Sequence, residues 1–180
     1  MKKKIFLDLD ETLFHADYAG ALENHIENSP VILNPTLKVL ETTISVDVSE
    51  GFIELYRGFL RPNSRGFVSA LNEEYGRENV HVLTRALRQY AEKFIKQFEL
   101  DLSPDRLYDR ISIPLNLIGQ EGFHAVLVDN LPSSELEDKT SFLRRSGFDK
   151  VSTIQVKDFY GAPTDSELSE TLLQQIRDIS

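Results

Sequence analysis

The sequence predicts an α/β fold: one domain built on a parallel sheet with helices on both faces and a small β-hairpin excursion. Two observations point there. Short apolar runs alternate along the chain with segments whose apolar residues recur at helical spacing, and three of those runs end in polar residues able to share one site: Asp8 with Asp10, then Thr84, then Asp129 with Asn130. Parallel neighbours need crossover connections, which helices supply, and ligands of such sheets bind beyond the carboxyl ends of the strands.

The elements follow in order. Ile5-Phe6-Leu7 is an apolar run stopped by Asp8 and Asp10, the mark of a buried strand opening into a loop. Residues 14–35 are mixed and contain Pro30 and Pro35; Ile44 to Val48 then alternates, and Phe52 to Tyr56 follows after Ser49-Glu50-Gly51, which predicts a hairpin. Arg61-Pro62-Asn63 leads into Phe67, Val68, Leu71 and Tyr75, a helical face ended by Gly76. Val80 to Leu83 is a strand, and Leu87, Ala91, Phe94, Ile95 and Phe98 mark an amphipathic helix. Ala125 to Val128 is a strand ending at Asp129, a helix follows Pro132-Ser133, and Val151 to Val156 is a further strand. The last helix is expected to begin at Thr164, where Thr164 and Glu167 form a capping-box pattern, and to bury Leu168, Leu172 and Ile176.

A chain of 180 residues with 41% hydrophobic content suits one domain, 1–180, with the β-excursion at about 36–60. The absence of cysteine excludes disulfides, thiolate catalysis and zinc–thiolate sites. A formal net charge of −9 makes a nucleic-acid backbone an unfavourable partner. The start Met1-Lys2-Lys3-Lys4 resembles a signal-peptide head, but the apolar run behind it is cut by Asp8 and Asp10. No apolar stretch reaches the roughly 18 residues of a membrane span, so a cytoplasmic protein is expected.

Asp8 and Asp10 stand two apart at a strand end, so extended backbone projects both to one side. Paired carboxylates repel, and a hard divalent cation is the usual compensation; magnesium, which takes oxygen ligands, is commonly held by one or two carboxylates together with substrate phosphate. With phosphate charge neutralised, one carboxylate can attack phosphorus to give an aspartyl-phosphate while the other protonates the leaving oxygen and later activates water. An EF-hand is excluded, because its required Gly and Glu fall at Leu13 and Ala19.

Asp8-Leu9-Asp10-Glu11-Thr12-Leu13 resembles the first motif of haloacid-dehalogenase-type (HAD) phosphatases, in particular the NLI-interacting-factor-like branch that acts on the RNA polymerase II carboxy-terminal domain. The hairpin with Arg61-Pro62, Val82-Leu83-Thr84 with Tyr90-Ala91, Leu127 to Pro132, and Asp158-Phe159 with Asp165 to Leu168 are similar to later segments of that branch. The resemblance implies a Rossmann-like fold without a large cap and a magnesium-dependent phosphatase. It makes Asp8 the nucleophile and a metal ligand, and Asp10 the acid/base whose backbone carbonyl also binds magnesium. Thr84 would hydrogen-bond the phosphoryl group, and Asn130, with Asp129 beside it, would complete the metal site.

The chain departs from the pattern in two respects: the segment between Thr84 and Asp129 is shorter than in the eukaryotic relatives, whose extra strands there help hold a polymerase-tail peptide, and the third-motif lysine is missing. The family's lysine is sought between the second and fourth motifs, yet no lysine occurs between Lys96 and Lys139. Arg110 is the expected phosphate-binding substitute, followed by Arg106, Arg85 and His124. The absent lysine also keeps a phosphate-binding module with weak turnover in view. An uncapped site favours a phosphorylated macromolecule, a phosphoprotein ahead of nucleic acid, with a nucleotide or sugar phosphate as the alternative substrate. Oligomeric state is not legible.

Overall fold

Lys2–Leu7 forms the central strand, β1, and the pleat of its apolar half divides the molecule into layers. The computed structural model describes residues 2–18, 41–49, 52–109 and 122–180. Within them the chain continues through β2 (Phe14–Tyr18), β3 (Glu41–Ser49), β4 (Phe52–Leu60), α1 (Ser64–Tyr75), β5 (Val80–Leu83), α2 (Arg88–Gln97) and β6 (Leu107–Tyr108). It ends with β7 (Phe123–Asp129), α3 (Glu137–Arg145), β8 (Lys150–Gln155) and α4 (Glu170–Asp178).

Five of the strands pair in the order β6-β5-β1-β7-β8, with every pairing parallel. Alternation along β1 aims Ile5 and Leu7 at one face, where α1, α2 and α4 deliver Val68, Phe94 and Ile176. Phe6 points to the other face and meets Leu136 and Leu143, the apolar positions of α3 and its approach. On that face Phe6 also stacks on His81, with ring centroids 4.9 Å apart. The three-layer α/β architecture thus follows from strands that are apolar on both sides.

The excursion is larger than a hairpin. β3 and β4 pair antiparallel, and β2 pairs along the other side of β4 to give a sheet ordered β2-β4-β3. The expected turn at residues 50–51 and the start of the excursion at 36–40 lie outside the described residues. Gly58 in β4 permits the packing of this sheet on α2, because a Cβ there would stand 2.3 Å from Phe94 Cε1.

The last helix begins later than the capping-box pattern suggests. Asp165 is committed elsewhere: it grips Arg61 through both oxygens, and its Oδ1 also accepts the Glu167 N–H at 3.1 Å. The Leu168 carbonyl accepts Asn63 Nδ2 at 2.5 Å, so the helix starts only after Ser169. Leu168, Leu172 and Ile176 are buried as expected. No helix among the described residues is long and apolar enough to cross a membrane.

Candidate active site

Register brings the polar strand ends together. Leu7 aligns with Val82 on one side and Val128 on the other, and the Asp8 N–H donates to the Val128 carbonyl at 3.0 Å. Beyond Asp8 the chain folds tightly on itself, with the Leu9 carbonyl accepting N–H groups from Thr12, Leu13 and Phe14 at 3.2, 2.8 and 3.2 Å. Glu11 takes a left-handed φ of 56° in this loop, a conformation uncommon for a residue with a side chain. Arg61 holds it there, since its Nη1 donates at 3.0 Å to both the Glu11 and the Thr12 carbonyl.

Among the described residues the cation that meets Asp8 is Lys139. Its Nζ donates to Asp8 Oδ1 at 2.7 Å and to Asp129 Oδ2 at 2.5 Å, and its side chain is only 6% exposed. The sequence reading missed it because it sought a lysine before Asp129, whereas Lys139 follows it on α3. The signal was present: Leu136, Lys139 and Leu143 recur at helical spacing and all three are buried, so the lysine occupies a core position of an amphipathic helix. A charge at such a position requires a partner.

One ammonium between two buried carboxylates leaves a net negative site. Burial pushes Asp8 up to about 6; the Lys139 charge opposes this and the Asp129 charge adds to it. Burial weakens the Lys139 ammonium, yet the charges of Asp8 and Asp129 outweigh that and leave its pKa raised. Asp10 retains some accessible surface but is densely surrounded by protein, and desolvation pushes it up to about 8. Tyr90 opposes that shift by donating its hydroxyl to Asp10 Oδ1. Asp8 is thus the readier of the two to ionise and Asp10 the readier to hold a proton, the division of labour that nucleophilic and acid chemistry need.

Thr84, at the end of β5, lines the same cavity as Lys139. Its backbone N–H donates to Tyr108 O at 3.0 Å, and its Oγ1 accepts the Ala86 N–H at 3.1 Å. The bond to Ala86 occupies a lone pair and leaves the hydroxyl proton for an anion. Asp129 is fully buried; Oδ1 accepts the Leu131 N–H at 2.9 Å while Oδ2 meets Lys139. Asn130 Oδ1 accepts Thr12 Oγ1 at 3.2 Å and its Nδ2 donates to Asp158 Oδ1 at 3.0 Å, so the first and last segments of the site are tied through it.

Of the other expected cations, Arg110 lies outside the described residues. Arg85 borders the cavity beside Thr84. His124 aligns with Lys3 toward the start of β7 and contacts Ser152 at 2.9 Å, at the far end of the strands from Asp8. Arg106 immediately precedes β6. Tyr90 and Asp158 were noticed within motifs, but their hydrogen bonds to Asp10 and Asn130 become visible only in the fold.

Among the described residues no group of three or more His, Cys, Asp or Glu side chains is arranged to hold a metal. A magnesium site that uses two carboxylates, a backbone carbonyl, water and substrate phosphate needs no such group. The buried Asp8 carboxylate, with the Asp129 charge beside it, fits a hard cation.

The family model described as NLI interacting factor-like phosphatase matches residues 3–180. A search of curated proteins finds no match. Among solved structures, the fission yeast RNA polymerase II CTD phosphatase Fcp1 bound to beryllium fluoride is similar at 16% identity and a TM-score of 0.56, over 98% of this chain and 50% of that one. A second structure of Fcp1, described as an essential RNA polymerase II CTD phosphatase, gives 17% identity and 0.60, over 98% and 48%. The HAD domain of the effector protein Lem4 from Legionella pneumophila, an inactive mutant, gives 12% and 0.52, over 99% and 94%. The chain spans about half the length of the Fcp1 chains it matches. At these identities the likeness concerns the HAD fold.

Proposed function

The chain belongs to the NLI interacting factor-like phosphatase family, and on that premise we propose that it is a magnesium-dependent phosphomonoesterase working through an aspartyl-phosphate on Asp8. The observation that carries the proposal is the Lys139 ammonium 2.7 Å from Asp8 Oδ1. It keeps a buried nucleophile ionised and places positive charge where phosphoryl oxygens must sit. It also offers a positive charge in place of the lysine missing from the expected interval, which was the motive for a module without turnover.

Asp8 attacks phosphorus in line as the bond to the leaving oxygen breaks, and Asp10 gives its proton to that oxygen. Asp10, now ionised, takes a proton from water as the water attacks phosphorus, which frees Asp8 and releases inorganic phosphate. Thr84 and Lys139 hold the phosphoryl oxygens; Asp129 positions Lys139. Asp8, the Asp10 carbonyl and Asn130 would hold magnesium, which when bound neutralises phosphate charge.

A phosphoprotein is the proposed substrate. The described chain between Thr84 and Asp109 is spent on α2 and β6, elements of the sheet layer itself, and forms no cap. The polymerase-tail substrate in the Fcp1 names is also a protein. The test is turnover of an aryl phosphate, phosphopeptides, nucleotides and sugar phosphates with and without magnesium. Turnover that requires magnesium and is lost in Asp8→Asn supports the mechanism. A nucleotide or sugar phosphate favoured about 100-fold over every peptide would replace the phosphoprotein reading with the small-molecule one.

A further inference from the structure

The cavity that contains Thr84 and Lys139 extends well past them. It has a volume of about 580 Å³, in the range of a ligand site, and runs along α3 past Arg85, Asp138, Phe142 and Arg145. With a phosphoryl group held by Thr84 and Lys139, the part of the cavity bordered by Arg85, Asp138, Phe142 and Arg145 is left for the group that the phosphate is attached to.

Two of the positively charged groups along that remainder are unpaired among the described residues. Lys139 is matched by Asp8 and Asp129, and Asp109, which also lines the cavity, lies 3.4 Å from Arg88. Arg85 gives one N–H group to the Glu135 carbonyl at 2.8 Å, a bond that orients the guanidinium without neutralising it. Neither Arg85 nor Arg145 has an acidic partner among the described residues. Among the described residues that line the cavity Asp138 stands against these two cations, and Glu135 and Glu137 lie near Arg85. The outer part of the cavity thus presents two guanidinium groups that have no ion pair among the described residues, and Phe142 adds apolar wall beside them.

Resting on the phosphatase reading, we propose that this outer cavity is a subsite for a carboxylate on the leaving-group side, so that the preferred substrate is a phosphopeptide with an acidic residue close to the phosphorylated one. A carboxylate brings one negative charge to the two guanidiniums, whereas a second phosphate brings nearly two and is repelled more strongly by Asp138 and Asp109, which favours the peptide over a bisphosphorylated nucleotide. Arg85 and Arg145 lie at the solvent edge, where each ion pair is modest and screened by salt; together they are worth several-fold in selection.

The experiment compares length-matched phosphoserine peptides carrying Glu or Gln beside the phosphoserine, with a nucleoside bisphosphate as a third arm. The full chain should show kcat/KM about fivefold or more higher for the Glu peptide at low salt, with the ratio falling toward one in high salt. Arg145→Glu should erase or invert the ratio. Arg144→Glu, the same charge change on a neighbouring exposed residue that does not line the cavity, should leave it in place. Equal use of the two peptides, or a bisphosphate preferred over both, overturns the subsite while the phosphatase reading stands. Binding of the same peptides to Asp8→Asn protein, read by fluorescence polarisation, needs no turnover. If no phosphomonoester is hydrolysed yet the Glu peptide binds more tightly, the catalytic reading fails and the subsite survives; equal binding removes it.

Discussion

Lys139 and Asp8 are separated by 131 residues and meet at 2.7 Å, across the interface between α3 and the end of the central strand. The contact joins the stability of the fold to the chemistry of the site, because the lysine is buried among apolar residues and has acceptors only if Asp8 and Asp129 are in place.

Lys139→Met should lower kcat/KM for an aryl phosphate by roughly 100-fold or more, the scale of removing a charge-stabilising group from a desolvated centre. It also leaves two buried carboxylates facing each other, at a cost of about 3 kcal/mol or more at neutral pH. Chemical denaturation should show that loss shrinking at acid pH, where the carboxylates take up protons. Lys139→Arg should not restore full turnover, since a planar fork does not reproduce a point charge shared by two acceptors. Wild-type turnover in Lys139→Met would place the cation of the site elsewhere, with Arg110 the first residue to examine.

The main strands, their parallel arrangement and the first motif were legible because each depends on local pattern: an apolar run, a strand-end carboxylate pair, a helical face; the two-residue edge strand β6 was not. What escaped depended on long-range pairing. Lys139 reads as one more charged residue of a polar helix unless its phase against Leu136 and Leu143 is noticed. Thr164 and Glu167 carry a true local signal for a helix start, but Asp165 between them bonds Arg61, and that distant contact sets the backbone. The third strand of the small sheet, β2, has no strong alternation of its own and is recruited by β4.

The rate should follow a bell-shaped pH dependence. Asp8 must be ionised, so activity rises through its pKa of about 6; Asp10 must be protonated, so activity falls through about 8. Bound magnesium stabilises carboxylate charge and moves both limbs down. Tyr90→Phe removes a donor that favours ionised Asp10, so the alkaline limb should move up relative to wild type at the same magnesium concentration. A limb that stays put in kcat/KM profiles would detach Tyr90 from Asp10.

Arg61 uses all five guanidinium N–H groups: Asp165 takes two at 2.7 and 2.8 Å, and the carbonyls of Glu11, Thr12 and Lys157 take the rest. It is wholly buried. Arg61→Lys supplies at most three donors from one point and should destabilise the fold by roughly 3–5 kcal/mol, while loosening the loop that presents Asp10. Urea unfolding measures the first effect. A change below about 1 kcal/mol would mean that the network contributes no stability.

His81 is buried against Phe6 and Tyr108, and desolvation, aided by Lys4 and Arg106, depresses its pKa to about 3. The unfolded chain protonates this histidine below about pH 6.5 and the folded chain does not until about 3, so its contribution is intact above 6.5 and is lost as pH falls through that window. His81→Phe should therefore gain on wild type by about 1.4 kcal/mol per pH unit between pH 6 and 4. A pH-independent difference between the two unfolding curves would show that His81 is charged in the folded protein.

The central claim is a covalent phosphoryl group on Asp8, and it is tested most directly by acid-quenching the protein during turnover of an aryl phosphate and locating the modification by peptide mass spectrometry. The account predicts one phosphoryl group on the peptide that carries Asp8, formed only with magnesium and absent from Asp8→Asn. In Asp10→Asn the adduct should persist longer, because no base activates the hydrolytic water. A phosphoryl group on any other residue, or undiminished turnover by Asp8→Asn, would contradict it.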